Sequence, residues 1–220
     1  MNRLLGGPAA GVVLEQYADI VGAAIPLWWE TTGNEGGRVS RIARMLPPLP
    51  PDPVLRYAAF FWFLADREDA PACLTDTMNA LRFDRRTREK VTKLLLHRAD
   101  PYTGGAPVLR RFLAGLGDAD AAALLTLLGA WEAAADVPDT ARQANIAAAQ
   151  EALAHLGAEK PCRSLADLAV KGNDLIAAGY APGRELGEVL QYLFAAVLDG
   201  RAENTRENLL AAALAACPPR

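Results

Sequence analysis

Nine basic side chains fall between residues 82 and 111 against three acidic ones, in a chain of 220 residues whose formal net charge is −3. The run begins RFDRRTREKVTKLLLHR. Asp84 stands where it can cap a helix. Arg86, Lys90, Lys93 and His97 then recur at i, i+4, i+7 and i+11, which places them on one helical face. Val91, Leu94 and Leu95 lie on the other side. Arg85 belongs to the same cluster, and Arg110 with Arg111 opens the next predicted helix. Clustered guanidinium and ammonium groups are the footprint of contact with a phosphate backbone, which releases counterions. A solvated amphipathic helix carries the same pattern, and both readings stand at this level. The flanking stretches 1–81, 112–158 and 159–220 have net charges of −3, −5 and −1, so the basic segment is local.

Covalent and metal chemistry find few candidates. The two histidines, His97 and His155, are far apart. Cys73, Cys162 and Cys217 show no metal-like pairing, and so sparse and odd a count suits a reducing cytoplasm. Nucleotidyl transfer needs carboxylates that hold two metal ions. The nearest string, Asp118-Ala119-Asp120, reads more simply as a helix start with favourable first-turn carboxylates. Gly6-Gly7 and Gly36-Gly37 are too short to cradle phosphate. No Ser-His-Asp or Cys-His neighbourhood stands out. The expectation is a chain with no catalytic residue, no metal and no cofactor of its own.

The elements that must position the basic cluster are helical. Alanine and leucine dominate while β-branched residues are sparse. One amphipathic helix is predicted from Pro8 to about Ala24, with Val12, Leu14, Tyr17, Ile20 and Val21 apolar and Pro26 closing it. A short helix follows at 36–46. LPPLPPDP is a rigid connector, because each proline fixes φ and restricts its predecessor. Asp52-Pro53 then starts a helix reading VLRYAAFFWFLAD, whose Phe60, Phe61, Trp62 and Phe63 belong to a core. Trp28 and Trp29 fall beside Pro26, either as exposed anchors or as cover for a junction. Further helices are predicted at 71–81, 84–98, 106–115, 119–135 and 139–156. No apolar run is long enough to span a bilayer, and no secretory leader opens the chain.

The last third is the most explicitly punctuated. In SLADLAVKGNDLIAAGYAPGRELGEVLQYLFAAVLDGRAENTRENLL, Ser164 can cap a turn holding Asp167. Asp174 begins an apolar run that stops at Gly179, and Pro182 suits a helix start. Gly200 ends a helix, and Asn204 with Glu207 reads as a capping pair. This string resembles the C-terminal end of bacterial CCA-adding tRNA nucleotidyltransferases. The matching residues are Asp167, Leu168, Ala169, Val170, Gly172, Asp174, Leu175, Ile176, Gly179, Pro182, Gly183, Leu186, Gly187, Val197, Leu198, Gly200, Asn204 and Arg206. Lys171 departs from the asparagine of that family. MNRLLGGPAAGVVLEQYADIVGAAIPLW is similar to the family's neck, and PPDPVLRYAAFF to its body.

The resemblance implies an all-α, elongated helical array like the C-terminal part of class II tRNA nucleotidyltransferases and poly(A) polymerases. Residues 1–48 would be neck, 49–158 a degenerate body and 159–220 a tail. Many relatives carry a His-Asp metal pair after the PPDP string. Here Trp62 to Asp66 follow instead, and Arg41 stands where an upstream histidine is usual. Indole and phenyl rings are not metal ligands. The family's magnesium and its CTP and ATP sites belong to a catalytic head that the resemblance places before Met1. The chain is therefore expected to be a non-catalytic tRNA-binding module, a fragment or headless product, with tRNA and a separate head as partners and no membrane. Its RNA-binding candidates are Arg85, Arg86, Lys90, Lys93, Arg110 and Arg111, with Lys171 and Arg184 as weaker ones. The alternative is a free-standing degenerate paralogue acting as a helical protein-interaction scaffold.

Overall fold

The alanine- and leucine-rich composition is realised as helices throughout. A computed structural model describes residues 2–28, 36–158 and 162–218, and no strand occurs among them. Trp29 lies outside the described residues. The chain divides into two compact units, residues 1–100 with 122–148, and residues 101–121 with 149–220. Among the described residues no single helix is long and apolar enough to cross a membrane.

The first unit opens with α1 (Asn2–Leu5), α2 (Ala10–Gln16) and α3 (Ala18–Ala24). The single helix predicted from Pro8 to Ala24 is thus two, broken at Tyr17, whose backbone leaves the helical region. Of its five apolar side chains only Leu14 is buried, while Val12, Tyr17 and Ile20 are 55%, 49% and 59% exposed. The reason lies in the smaller residues. α2 packs on α4 (Gly36–Met45) through Ala10, Gly11 and Leu14. A Cβ on Gly11 would stand 2.3 Å from the carbonyl oxygen of Ala43, so only glycine permits this approach.

α5 (Pro53–Phe60) begins as its sequence requires. The Asp52 carboxylate accepts from the amides of Val54 (2.7 Å) and Leu55 (3.2 Å), with Pro53 at the first helical position. Arg56 is buried on this helix, and its guanidinium donates to the carbonyls of Leu5 (2.6 Å), Pro50 (3.2 Å) and Leu49 (3.3 Å). One buried cation therefore ties α1 and the proline connector to α5. The helix predicted through Asp66 tightens at Phe61–Leu64 into a 3₁₀ turn. Phe60, Phe61, Trp62, Phe63 and Leu64 are all buried, so the run has no polar face for an ordinary amphipathic helix to offer water. Trp28 is fully buried rather than an exposed anchor; it stacks on Phe60 at 5.0 Å and meets Phe63 edge-on at 4.9 Å. α6 (Ala70–Ala80) and α7 (Arg85–Leu96) follow. The unit is completed by residues 122–133 of α9 (Asp118–Ala133) and residues 140–148 of α10 (Thr140–Ala158).

The second unit contains α8 (Ala106–Leu116), a 3₁₀ turn at Leu165–Asp167, α11 (Gly172–Ala177), α12 (Arg184–Leu198) and α13 (Arg206–Ala216). Its core gathers Leu168, Val170, Leu175, Tyr180, Val189, Leu193, Leu209 and Ala213. α12 packs against α11, α13 and α8. Pro182 is not the first helical residue. Gly183 caps α12 at φ 141°, a conformation that favours glycine, and the helix starts at Arg184. Asp174 lies within the first turn of α11 rather than at its start. Cys73, Cys162 and Cys217 are unpaired.

Candidate nucleic-acid interface

α7 carries the basic cluster, and its start is held by Asp84. That carboxylate accepts from the Thr87 amide at 2.9 Å and the Thr87 hydroxyl at 2.6 Å. These bonds, the hydroxyl first, hold its carboxyl below the ordinary range. Val91, Leu94 and Leu95 are buried where α7 packs against α5 and α6. With that stripe turned inward, the cationic side chains remain outside.

A groove of about 510 Å³ runs along α7, lined by Arg85, Arg88, Glu89, Thr92, Lys93, Leu96 and His97, with Thr75 of α6 on the facing side. Arg85 pairs with Glu89 at 2.7 Å. The Nε of Arg88 is buried and meets no hydrogen-bond partner among the described residues. His97 Nδ1 lies 2.5 Å from Asp100 Oδ2. The groove thus presents several donors, two hydroxyl-bearing threonines and one carboxylate that already has a counter-ion. Such a surface can take up phosphate oxygens. Of the residues singled out from the sequence, Arg85, Lys93 and His97 line it. Arg86 and Lys90 are exposed on α7 outside the lining. Arg88, Thr92 and Thr75 were missed. Arg88 stands three residues after Arg85, so helical spacing carried its signal, whereas only the packing of α6 on α7 brings Thr75 in.

The other candidates belong to the second unit. Arg111 pairs with Asp199 at 2.5 Å, and Asp199 also takes Arg201 at 3.0 Å. Arg110 is half-buried, with Nη1 3.2 Å from where a Cβ on Gly200 would stand. Arg184 pairs with Glu188 at 2.8 Å on an exposed turn. The Lys171 ammonium donates to the carbonyl of Ala166. The acidic side chains Asp118, Glu132 and Asp136 have arginines from outside the candidate set: Arg163 at 2.7 Å, Arg142 at 3.1 Å and Arg44 at 2.7 Å respectively. Among the described residues no group of three or more His, Cys, Asp or Glu is placed to hold a metal ion.

The polar residues of the C-terminal string form a clip. Asp167 accepts from the Ser164 amide and hydroxyl, both at 2.8 Å. Asn204 accepts from the Ala169 amide at 2.8 Å and donates to the Asp167 carbonyl at 2.9 Å. Arg206 donates to Asp174 at 2.9 Å. The predicted Asn204–Glu207 capping pair is therefore replaced. Thr205 caps α13, accepting from the Asn208 amide at 3.4 Å, because the Asn204 amide group is spent on the distant turn.

Residues 125–213 match the family model for tRNA nucleotidyltransferase domain 2. The match supports a relationship to the tRNA nucleotidyltransferase family over less than half of the 220 residues. It takes in the clip and most of the second unit's core, while α7 lies outside it. No curated protein and no solved structure matches the chain.

Proposed function

We propose that the chain is a non-catalytic tRNA-binding module of a tRNA nucleotidyltransferase, serving CCA addition at the tRNA 3′ end in a reducing cytoplasm. The related segment at 125–213 supports tRNA as the partner. The observation that carries an RNA-facing surface is the α7 groove, where Arg88 and Lys93 stand beside Thr75 and Thr92. Its role is to grip a folded RNA by shape and phosphate, so that a catalytic head can extend the end. Magnesium and the nucleoside triphosphates belong to that head in this reading.

The test is tRNA binding by the full chain across a salt series. Binding is expected to weaken steeply with salt, and an Arg85→Ala/Arg88→Ala/Lys93→Ala variant is expected to flatten the slope of log K on log salt by about 2–3. An Arg86→Ala/Lys90→Ala variant separates the groove from the rest of α7. Absence of binding at low salt, with the chain folded, would overturn the module reading. A protein-interaction scaffold would then be favoured, a reading that draws on Arg85, Arg111 and Arg184 already being ion-paired within the fold.

A further inference from the structure

Three arginines of the second unit converge on one turn. Arg110 and Arg111 come from α8, and Arg201 follows Asp199 and Gly200 at the end of α12. We infer that this cluster, with Asp199 as its positioning residue, is a phosphate-binding site that takes one phosphodiester of an RNA backbone. The inference rests on RNA being the partner of the chain, but not on the α7 groove.

Asp199 organises the cluster. One of its oxygens accepts from Arg111, with Nε at 2.8 Å and Nη2 at 2.5 Å. The other accepts from Nε and Nη2 of Arg201, at 3.3 and 3.0 Å. The hydrogen bonds from Arg111, then those from Arg201, hold its carboxyl below the ordinary carboxylate range, so it stays charged. The Cζ of Arg201 also lies 5.8 Å from the Tyr192 ring centroid. A guanidinium carries five N–H donors in a rigid fork. Asp199 engages one edge of each fork, so two guanidiniums are held in place with donors to spare. Arg110 is the third. Its Nη1 stands 3.2 Å from where a Cβ on Gly200 would be, and Gly200 has φ 71°. Glycine there both makes the turn and leaves space for the guanidinium.

Charge and exposure select the ligand. Arg111 and Arg201 share Asp199, whereas Arg110 forms no ion pair among the described residues. Glu203, two residues beyond Arg201, accepts from the Asn208 side-chain amide at 3.0 Å. Even with Glu203 counted, three arginines stand against two carboxylates. The one positive charge in excess matches the single charge of a phosphodiester. A pair of arginines at the C-terminal end of α12 is what the helix dipole alone would favour, and Arg110 exceeds it. The side chains of Arg111 and Arg201 are 58% and 53% exposed. A lone ion exchanges readily from so open a site, whereas a backbone presents many phosphates at once and makes weak contacts add.

The full chain is titrated with a tRNA transcript across a salt series, beside Arg110→Gln, Arg201→Gln and the double variant. Each single variant should weaken binding several-fold at low salt and flatten the slope of log K on log salt by about 1, the double by about 2. The loss should be equal for two tRNAs of unrelated sequence, since a phosphate contact carries no sequence information. Arg201→Gln lies at the surface and serves alone should Arg110→Gln unfold. Asp199→Ala separates positioning from charge. Removing a negative charge by itself would tighten binding, whereas loss of the fixed forks weakens it, and weaker binding is expected. Asp199→Asn keeps an accepting oxygen and should recover part of the affinity. The Arg85→Ala/Arg88→Ala/Lys93→Ala variant is run in parallel. RNA binding that responds to this α7 variant and not to folded Arg110→Gln/Arg201→Gln would overturn the site and leave the module reading standing. No RNA binding by the wild type would overturn both. Tighter binding by Asp199→Ala would overturn the positioning role of Asp199.

Discussion

Asn204 holds Ala169 across 35 residues of chain by accepting its amide hydrogen at 2.8 Å. The same side chain donates to the carbonyl of Asp167, so one primary amide stands in for a backbone strand at the 3₁₀ turn. Replacing it removes two hydrogen bonds at the surface of the second unit. Asn204→Ala should cost about 1–3 kcal/mol of unfolding free energy. Urea denaturation of the folded variant measures it, and a change within a few tenths would show that water replaces the clip.

Acid should loosen the same region. The Ser164 hydroxyl, then the Arg163 amide, hold the Asp167 carboxyl below its ordinary value, while the Lys171 amide, then Arg206, do so for Asp174. A carboxyl depressed in the folded state contributes stability that is complete above its unfolded value, near about 4. That stability is lost as pH falls through the folded value. The thermal midpoint should therefore be level from neutral pH down to about 5 and fall below about 4, less steeply in Asp167→Asn and Asp174→Asn variants. Identical profiles for wild type and both variants would refute the assignment.

Arg56 should prove structural. It is 8% exposed and donates to carbonyls of α1 and the proline connector. Arg56→Ala would leave those acceptors buried without donors, at a cost of about 3–5 kcal/mol. Calorimetric unfolding tests this, and Arg56→Lys should recover little, since one ammonium cannot reproduce the fork.

Gly11 sets how closely α2 approaches α4. A methyl group there would meet the Ala43 carbonyl, which is backbone and cannot swing aside. Gly11→Ala should destabilise by about 1–3 kcal/mol, despite being favourable for helix propensity, whereas Val12→Ala on the exposed face should be near neutral. Chemical denaturation of the pair would decide between the two expectations.

The sequence by itself determined the helical class, most helix limits, and the starts that depend on neighbours in the chain. Asp52 before Pro53, Asp84 before Thr87 and Ser164 with Asp167 are local bonds over two to three residues, so spacing alone reveals them. It also located the cationic density of α7, because charge on a helix face is periodic. Tertiary structure decided the rest. The close approach of α2 to α4 rests on a glycine contact that no periodicity encodes, and the break at Tyr17 and the exposure of Ile20 show only in the folded chain. Asn204 was legible as a cap, yet a residue 35 positions away competes for its amide and wins. The α7 groove needed Thr75 from a neighbouring helix, and Arg41 meets the Trp131 ring and carbonyl only because packing brings together residues 90 positions apart. Short-range hydrogen bonds are written in adjacent letters; a pocket is written only in packing, where distant side chains compete for the same partners.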